Sequence, residues 1–374
     1  MTKWHTCMTP SNSSGNGKAA APAARPHVLV TGAGSGRGNN LIRSLQSGPD
    51  RIEVTGCNHD PFLLKRSEAS WSFRAPQPSD PGFAAACRAI VESRVIDLII
   101  PSSDEDALAL AKIADALPCR TYLPPAATIE LCQDKFALYE LLRLHDVPVP
   151  ETFAIRGRAD VISSFRRLDR HPLLWCRMRH GSGSKGATKV KDAEQAWSWI
   201  TYWNDMREAP IEEFTLSEYL PGRDYNVQGL WDEGENVLIK MCERLSYLDG
   251  QNRPSGMSST PALAKTLCDH RILDLCDYAV RTIAPKASGV FNLDVKEDGR
   301  GQAKITEINA GRFAMITNIY DFTGEHNMVQ AYVRLALGQT PQITRVRDIE
   351  PDYYLIREYD SRPLVAALHE ILLE

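Results

Sequence analysis

The sequence predicts an α/β chain built from a parallel sheet covered by helices, followed by strand-rich segments. Three observations carry this. Short apolar runs at 27–30, 52–55 and 96–100 alternate with helical patterns, one carrying Leu41, Ile42 and Leu45 and others over 81–93 and 104–117. That order is the signature of a parallel sheet with crossover helices. The length of 374 residues is that of two or three structural units. Residues 290–309 read as two alternating runs around an Asp298-Gly299 turn, a strong hairpin signal.

Composition bounds the function. Hydrophobic residues make up 43% and charged residues 24% of the chain, ordinary values for a globular protein. The formal net charge of -4 leaves no footprint for a polyanion, so nucleic acid is not an expected partner. No apolar run approaches the roughly 20 residues of a membrane span, and no membrane partner is expected. The nine cysteines are scattered, with no CxxC pair and no zinc-type spacing. Reduced thiols in a cytoplasmic enzyme fit this pattern.

Residues 1–25, rich in Ser, Asn, Gly, Ala and Pro, read as a disordered tail. The first folded unit is expected over 26–125. Its first apolar run leads into glycines at 32, 34, 36 and 38 and then a helix, a Rossmann-like start. The dinucleotide fingerprint GxGxxG is imperfect, because Arg37 stands where the third glycine belongs. Asp60 lies where a ribose-binding acid is found. The turn therefore serves packing, an anionic substrate group at the helix start, or a nicotinamide cofactor in an NAD(P)-dependent oxidoreductase. Ser102, Ser103 and Asp104 follow the third run, at the strand end where such sheets bind ligands. The ordinary use of Ser103 or Asp104 is as a helix N-cap.

A second unit is expected over 126–340. Lys135 opens a helix with Leu138, Leu141 and Leu142 on one stripe, ended by Pro148 and Pro150. Residues 171–190 give an apolar strand, the loop Gly181-Ser182-Gly183-Ser184-Lys185-Gly186 and a second short run. This is not the GxxxxGK[ST] phosphate loop, since a strand follows it. Glycine still lets backbone N–H groups approach phosphate oxygens closely. Trp175 and Cys176 read as strand packing. Residues 214–230 form strand, Pro221-Gly222 turn and strand, with Glu218, Tyr219 and Leu220 before the turn and Asp224 after it. Lys240, Glu243 and Arg244 lie on the next strand. The Gly/Ser/Pro-rich loop 249–260 reads as a substrate-side lid. Helical patterns follow at 269–284 and 323–337, and residues 341–374 read as an appended strand and amphipathic helix.

In the 290–309 hairpin, residues two apart share a face. Asn292 and Asp294 point one way, while Phe291, Leu293 and Val295 point the other. Glu307 and Asn309 likewise share a face. Asp294, Glu307 and Asn309 thus offer the few hard oxygen donors that Mg²⁺ takes. A plain solvated hairpin has the same alternation.

These segments, in this order over about residues 27–340, resemble the ATP-grasp superfamily, in particular its carbamoyl-phosphate-synthase large-chain-like group. The resemblance implies a Rossmann-like N-terminal domain that helps form the acceptor site, then a two-subdomain ATP-grasp fold divided at 126–213 and 214–340. It implies an ATP-dependent carboxylate–amine ligase that forms an amide or dipeptide-like bond through an acyl phosphate. ATP and Mg²⁺, with Mn²⁺ as an alternative, are the implied cofactors. Small carboxylates and amines, amino acids above all, are the implied partners, and a homodimer is common in the family. By motif position, Lys135, Arg177 and the loop residues Gly181, Ser182, Gly183, Ser184 and Lys185 bind phosphates. Arg177 replaces the family's usual lysine. Glu218, Tyr219 and Leu220 take adenine, Asp224 takes ribose, and Lys240 is placed with the nucleotide. Asp294, Glu307 and Asn309 hold the metal. Arg312, one residue later than the family's Pro-Arg, neutralises the carboxylate being activated or a phosphate. A non-catalytic ATP-binding protein is the remaining alternative, and retention of all three metal positions argues against it.

Overall fold

The computed structural model describes residues 25–181, 183–258, 260–359, 364–367 and 369. The expected tail up to residue 24 and Ser182 of the glycine loop lie outside them.

Strands β1 His27–Thr31, β2 Glu53–Asn58, β3 Trp71–Arg74 and β4 Leu98–Ile100 form a parallel sheet in the order β3-β2-β1-β4. Helices Gly36–Ser47, Phe83–Arg94 and Asp104–Ile113 pack against it. Burial on both faces explains the unbroken apolar runs: Val28, Leu29 and Val30 are fully buried. The sequence reading missed β3, an edge strand whose Trp71 and Arg74 are exposed.

The glycine turn serves the chain's own packing. Gly34 sits at φ 85°, and a Cβ there would fall 1.7 Å from the Leu63 carbonyl oxygen. A Cβ on Gly32 would meet Ser102 Oγ at 2.2 Å. Asp60 caps the short helix Pro61–Leu64, accepting the Phe62 N–H at 2.7 Å. Gly34 and Asp60 thus have internal partners.

Strands β5 Thr152–Ala154, β6 Leu174–Met178, β7 Thr188–Val190 and β8 Phe214–Glu218 make an antiparallel sheet, order β5-β8-β6-β7. Helices Arg158–Arg167 and Ala193–Arg207 cover one face. The third sheet contains β9 Asp224–Asp232, β10 Glu235–Tyr247, β11 Pro261–Thr266, β12 Gly289–Glu297, β13 Ala303–Ala310, β14 Tyr353–Ile356 and β15 Leu364–Ala367. Its order is β13-β12-β9-β10-β11-β14-β15. The expected hairpin is β12–β13, and the expected C-terminal strand is β14. β15 pairs antiparallel with β14, and the expected amphipathic helix at the chain's end falls largely on residues outside the described ones.

One face of the third sheet is apolar. Val227, Trp231, Phe291, Leu293, Val295 and Ile308 pack there against helices Lys135–Leu144 and His270–Ile283. The residues between them in sequence project to the opposite face, and they include Asn226, Gln228, Asn292 and Asp294. Strand alternation therefore builds the core and the polar face from the same segments.

Candidate active site

Register sets the centre of the polar face. Asp294 of β12 lies directly opposite Glu307 of β13, and Asn292 lies opposite Asn309. Asp294 Oδ1 accepts from Asn226 Nδ2 at 2.9 Å and from Arg244 Nη1 at 3.0 Å. Asn309 Oδ1 accepts from Arg312 Nη2 at 2.7 Å. Glu307 has a longer pairing, with Arg177 Nη1 at 4.0 Å. Burial raises the pKa of Asp294, and Glu307 across the ladder adds to this against the pull of Arg244. Two facing carboxylates repel one another, and a divalent cation between them removes that cost. Two carboxylates and an amide oxygen also match the sparse oxygen set Mg²⁺ takes from protein. Among the described residues, no group of three or more His, Cys, Asp and Glu is arranged to hold a metal. Asp294, Glu307 and Asn309 fit the sparse Mg²⁺ set in kind and number.

These residues line a cleft between the second and third sheets. Arg177, Gly183, Ser184, Glu218, Tyr219, Leu220, Asp224 and Arg312 line the same cleft. Arg177 donates to the Thr306 carbonyl at 2.8 Å and to the Tyr139 hydroxyl. Glu218 is buried at the end of β8, where Oε1 accepts from the Glu151 N–H at 2.9 Å and Lys304 Nζ at 2.5 Å. Asp224 is tightly held: Tyr247 donates at 2.6 Å, Arg244 Nε at 2.8 Å and Lys296 Nζ at 3.2 Å. Burial raises the Asp224 carboxyl, but Arg244 and Lys296 bring it below the usual carboxylate range. Arg312 Nε reaches Asp104 Oδ1 at 2.5 Å, tying the hairpin to the first sheet.

Lys135 and Gly181 face an adjoining recess, which shares Arg37, Glu307 and Asn309 with the main cleft. Lys135 Nζ donates to the Gly181 carbonyl at 2.7 Å. Lys185 does not line the main cleft. Lys240 is a correction. It is 1% exposed and lies beneath the segment 317–326, where Nζ reaches the carbonyls of Tyr320, Thr323 and His326 at 2.7, 2.9 and 2.7 Å. Asp348 lies 2.8 Å from the same Nζ. Lys240 shares its strand face with Arg244, but the helix Thr317–Asp321 roofs it over. Alternation gives a face and not a depth, so the sequence could not separate the two residues.

Trp175 is a second correction: it lines the cleft beside Tyr219, ring centroids 6.2 Å apart. Met257 and Ser258 of the 249–260 loop also line it, and Arg253 Nη1 donates to the Gly183 carbonyl at 3.3 Å. The expected lid thus touches the glycine loop. Sequence reasoning missed Asn226 and Tyr139, which carried no motif. A second cleft opens at the carboxyl ends of β1 and β4, lined by Thr31, Ser35, Asn58, Ser102 and Ser103 among others. It shares Arg37 and Met315 with the first cleft. Ser103 is also the N-cap of helix Asp104–Ile113.

No family model matches the sequence, and no curated protein matches it. Solved structures do match. N5-carboxyaminoimidazole synthetase from Staphylococcus aureus, complexed with ADP, superposes with a TM-score of 0.68 at 14% identity, over 89% of this chain and 82% of that one. The biotin carboxylase domain of Hydrogenobacter thermophilus 2-oxoglutarate carboxylase, with MgADP and bicarbonate, gives 0.67 at 15%, over 88% and 73%. L-amino acid ligase from Bacillus licheniformis gives 0.65 at 13%, over 88% and 78%. At these identities the likeness speaks for architecture, and the chain has the ATP-grasp fold that its motifs resemble.

Proposed function

We propose that the protein is an ATP-dependent carboxylate–amine ligase working through an acyl phosphate, with amino acids or similar small molecules as substrates. The observation that carries the proposal is the facing pair Asp294 and Glu307, with Asn309 beside them, in a cleft that also holds Arg177 and Arg312. The structural neighbours support it: their names include an amino acid ligase and a synthetase complexed with ADP.

In this reading Glu218 and the backbone of Tyr219 and Leu220 take the adenine, and Asp224 takes the ribose once Arg244 or Tyr247 yields an oxygen. Lys135, Arg177 and the glycine loop hold the phosphates. Asp294, Glu307 and Asn309 would hold Mg²⁺, which supplies charge neutralisation to phosphate oxygens. The substrate carboxylate attacks the γ-phosphorus, the bond to the bridging oxygen breaks, and ADP leaves. Arg312 orients the attacking carboxylate, whose charge it offsets. An amine nitrogen then attacks the acyl carbon, the carbon–oxygen bond to phosphate breaks, and the nitrogen loses a proton to solvent. Positioning and charge neutralisation do most of the work in such transfers.

The test is ADP and phosphate release from MgATP across amino acids, singly and in pairs, with an Asp294→Ala/Glu307→Ala double variant as control. Release that needs two substrates and vanishes in the double variant supports the ligase. Release with no pair at all overturns it.

A further inference from the structure

Arg37 is the residue that breaks the glycine pattern of the first turn. It sits in the first turn of helix Gly36–Ser47, and it is the cation common to the main cleft, the Lys135 recess and the second cleft. The other cations around it each have at least one hydrogen-bond partner. Arg312 is bonded to Asp104 and Asn309, Lys135 to Gly181, and Arg177 to Thr306 and Tyr139. The Arg37 guanidinium has no hydrogen bond or ion pair among the described residues. Burial, and then the neighbouring Arg312 charge, lower its pKa, although Asp104 and Glu307 act the other way. A partly buried guanidinium without a bonded anion has lost hydration with nothing in exchange, and a ligand that brings the anion removes that cost.

We infer that Arg37 binds the carboxylate of the amine substrate, so that the amine partner is itself an amino acid whose acid group stays free. This rests on the ligase reading above. The placement suits a molecule that spans the two clefts. Its amine would reach toward Arg312 and Asn309, while its carboxylate stays at the junction with the second cleft. Holding that carboxylate on Arg37 also keeps it away from the phosphoryl acceptor position, so the wrong acid is not activated. The second cleft carries Glu105 and Asp106 as well. A single arginine among nearby carboxylates suits a monoanion better than a doubly charged phosphate.

The test uses the full chain and reads Arg37 directly. Phenylglyoxal labelling of the Arg37 peptide is followed by mass spectrometry, alone and with millimolar L-amino acids, their α-amides, or O-phosphoethanolamine. At least one free amino acid is expected to slow labelling about tenfold, while its amide does not. Equal labelling under all conditions overturns the inference, and protection by O-phosphoethanolamine alone reassigns the site to phosphate. In turnover, Arg37→Met is expected to lower kcat/KM for the free amino acid about 10- to 100-fold, the span of a hydrogen bond to a charged group. The preference for free acid over amide should flatten, and Arg37→Lys should restore part of it. A preference unchanged in Arg37→Met overturns the inference even if the ligase reading stands. Failure of wild-type turnover with every pair speaks against the ligase, whereas the labelling result judges Arg37 separately.

Discussion

Asp348 and Glu307 are both carboxylates that meet the polar face of the third sheet, yet their surroundings differ in kind. Asp348 is 0% exposed and accepts from Lys240 and from the Glu325 and His326 N–H groups at 3.0 and 2.8 Å. Its lone pairs are spent on the protein. Glu307 stands opposite another carboxylate and has its pairing with Arg177 at 4.0 Å. A charge whose partners are all internal holds the fold together. A charge left short of partners, beside a like charge, is poised for something that arrives from solution.

The largest expected effect sharpens this contrast. Glu307→Ala should lower kcat/KM for ADP release about 100- to 1000-fold, the scale of losing one preorganised electrostatic group. Its melting temperature should hold or rise, because one of two repelling carboxylates is gone. Calorimetry and ADP assays on the same sample check both. A large drop in melting temperature would place Glu307 with the structural anchors and break the comparison.

Lys240→Met tests the opposite member. Removing one partner of a buried pair leaves Asp348 uncompensated, at a cost of about 3–5 kcal/mol. Urea unfolding should show the loss, and activity per folded molecule should fall far less than in Glu307→Ala. If activity vanishes with stability intact, Lys240 belongs to the site after all.

Asp348 makes a prediction in pH. Burial raises its carboxyl, but the hydrogen bond and charge of Lys240 bring it below its ordinary value. Its folded-state pKa is thus lower than its unfolded one. The stability it contributes is present above the unfolded value of about 3.9 and is lost as pH falls through the folded one. The gap in melting temperature between wild type and Asp348→Asn should therefore stay level from neutral pH down to about 5 and narrow below about 4. A gap that stays open in acid would mean that the anchor does not depend on the charge.

How far the sequence reads into this structure follows the same divide. Strand alternation located the faces of β12 and β13, and the motif resemblance singled out Asp294, Glu307 and Asn309 on them, while the register that sets Asp294 opposite Glu307 belongs to the strand pairing. The Asp-Gly turn and the alternating glycines gave the hairpin and the first crossover. Depth was not legible. Lys240 and Arg244 share one face of one strand, and only the helix Thr317–Asp321 decides that the first is roofed over. Trp175 looked like packing because nothing local shows that β6 borders the cleft. Arg37 showed itself only as an interruption of a motif, and its position at the junction of two clefts is a property of sheets far apart in sequence.

Lys135 tests the middle of the scale. It is 6% exposed, and burial is the main influence lowering its pKa, with Glu307 opposing. By depth alone it resembles Lys240. Its bonding differs: the hydrogen bond to Gly181 engages one donor, and the ammonium faces the recess that contains Glu307 and Asn309. Replacing a buried lysine by methionine removes a desolvation cost, so Lys135→Met should leave the melting temperature within a few degrees or raise it. The KM for ATP should rise about tenfold, the value of one charged hydrogen bond to a phosphate. A rise in KM with stability intact makes unspent donors, rather than burial, the mark of a ligand-binding lysine in this fold. A loss of stability like that of Lys240→Met with KM unchanged would mean that one hydrogen bond to the glycine loop suffices to make a lysine structural.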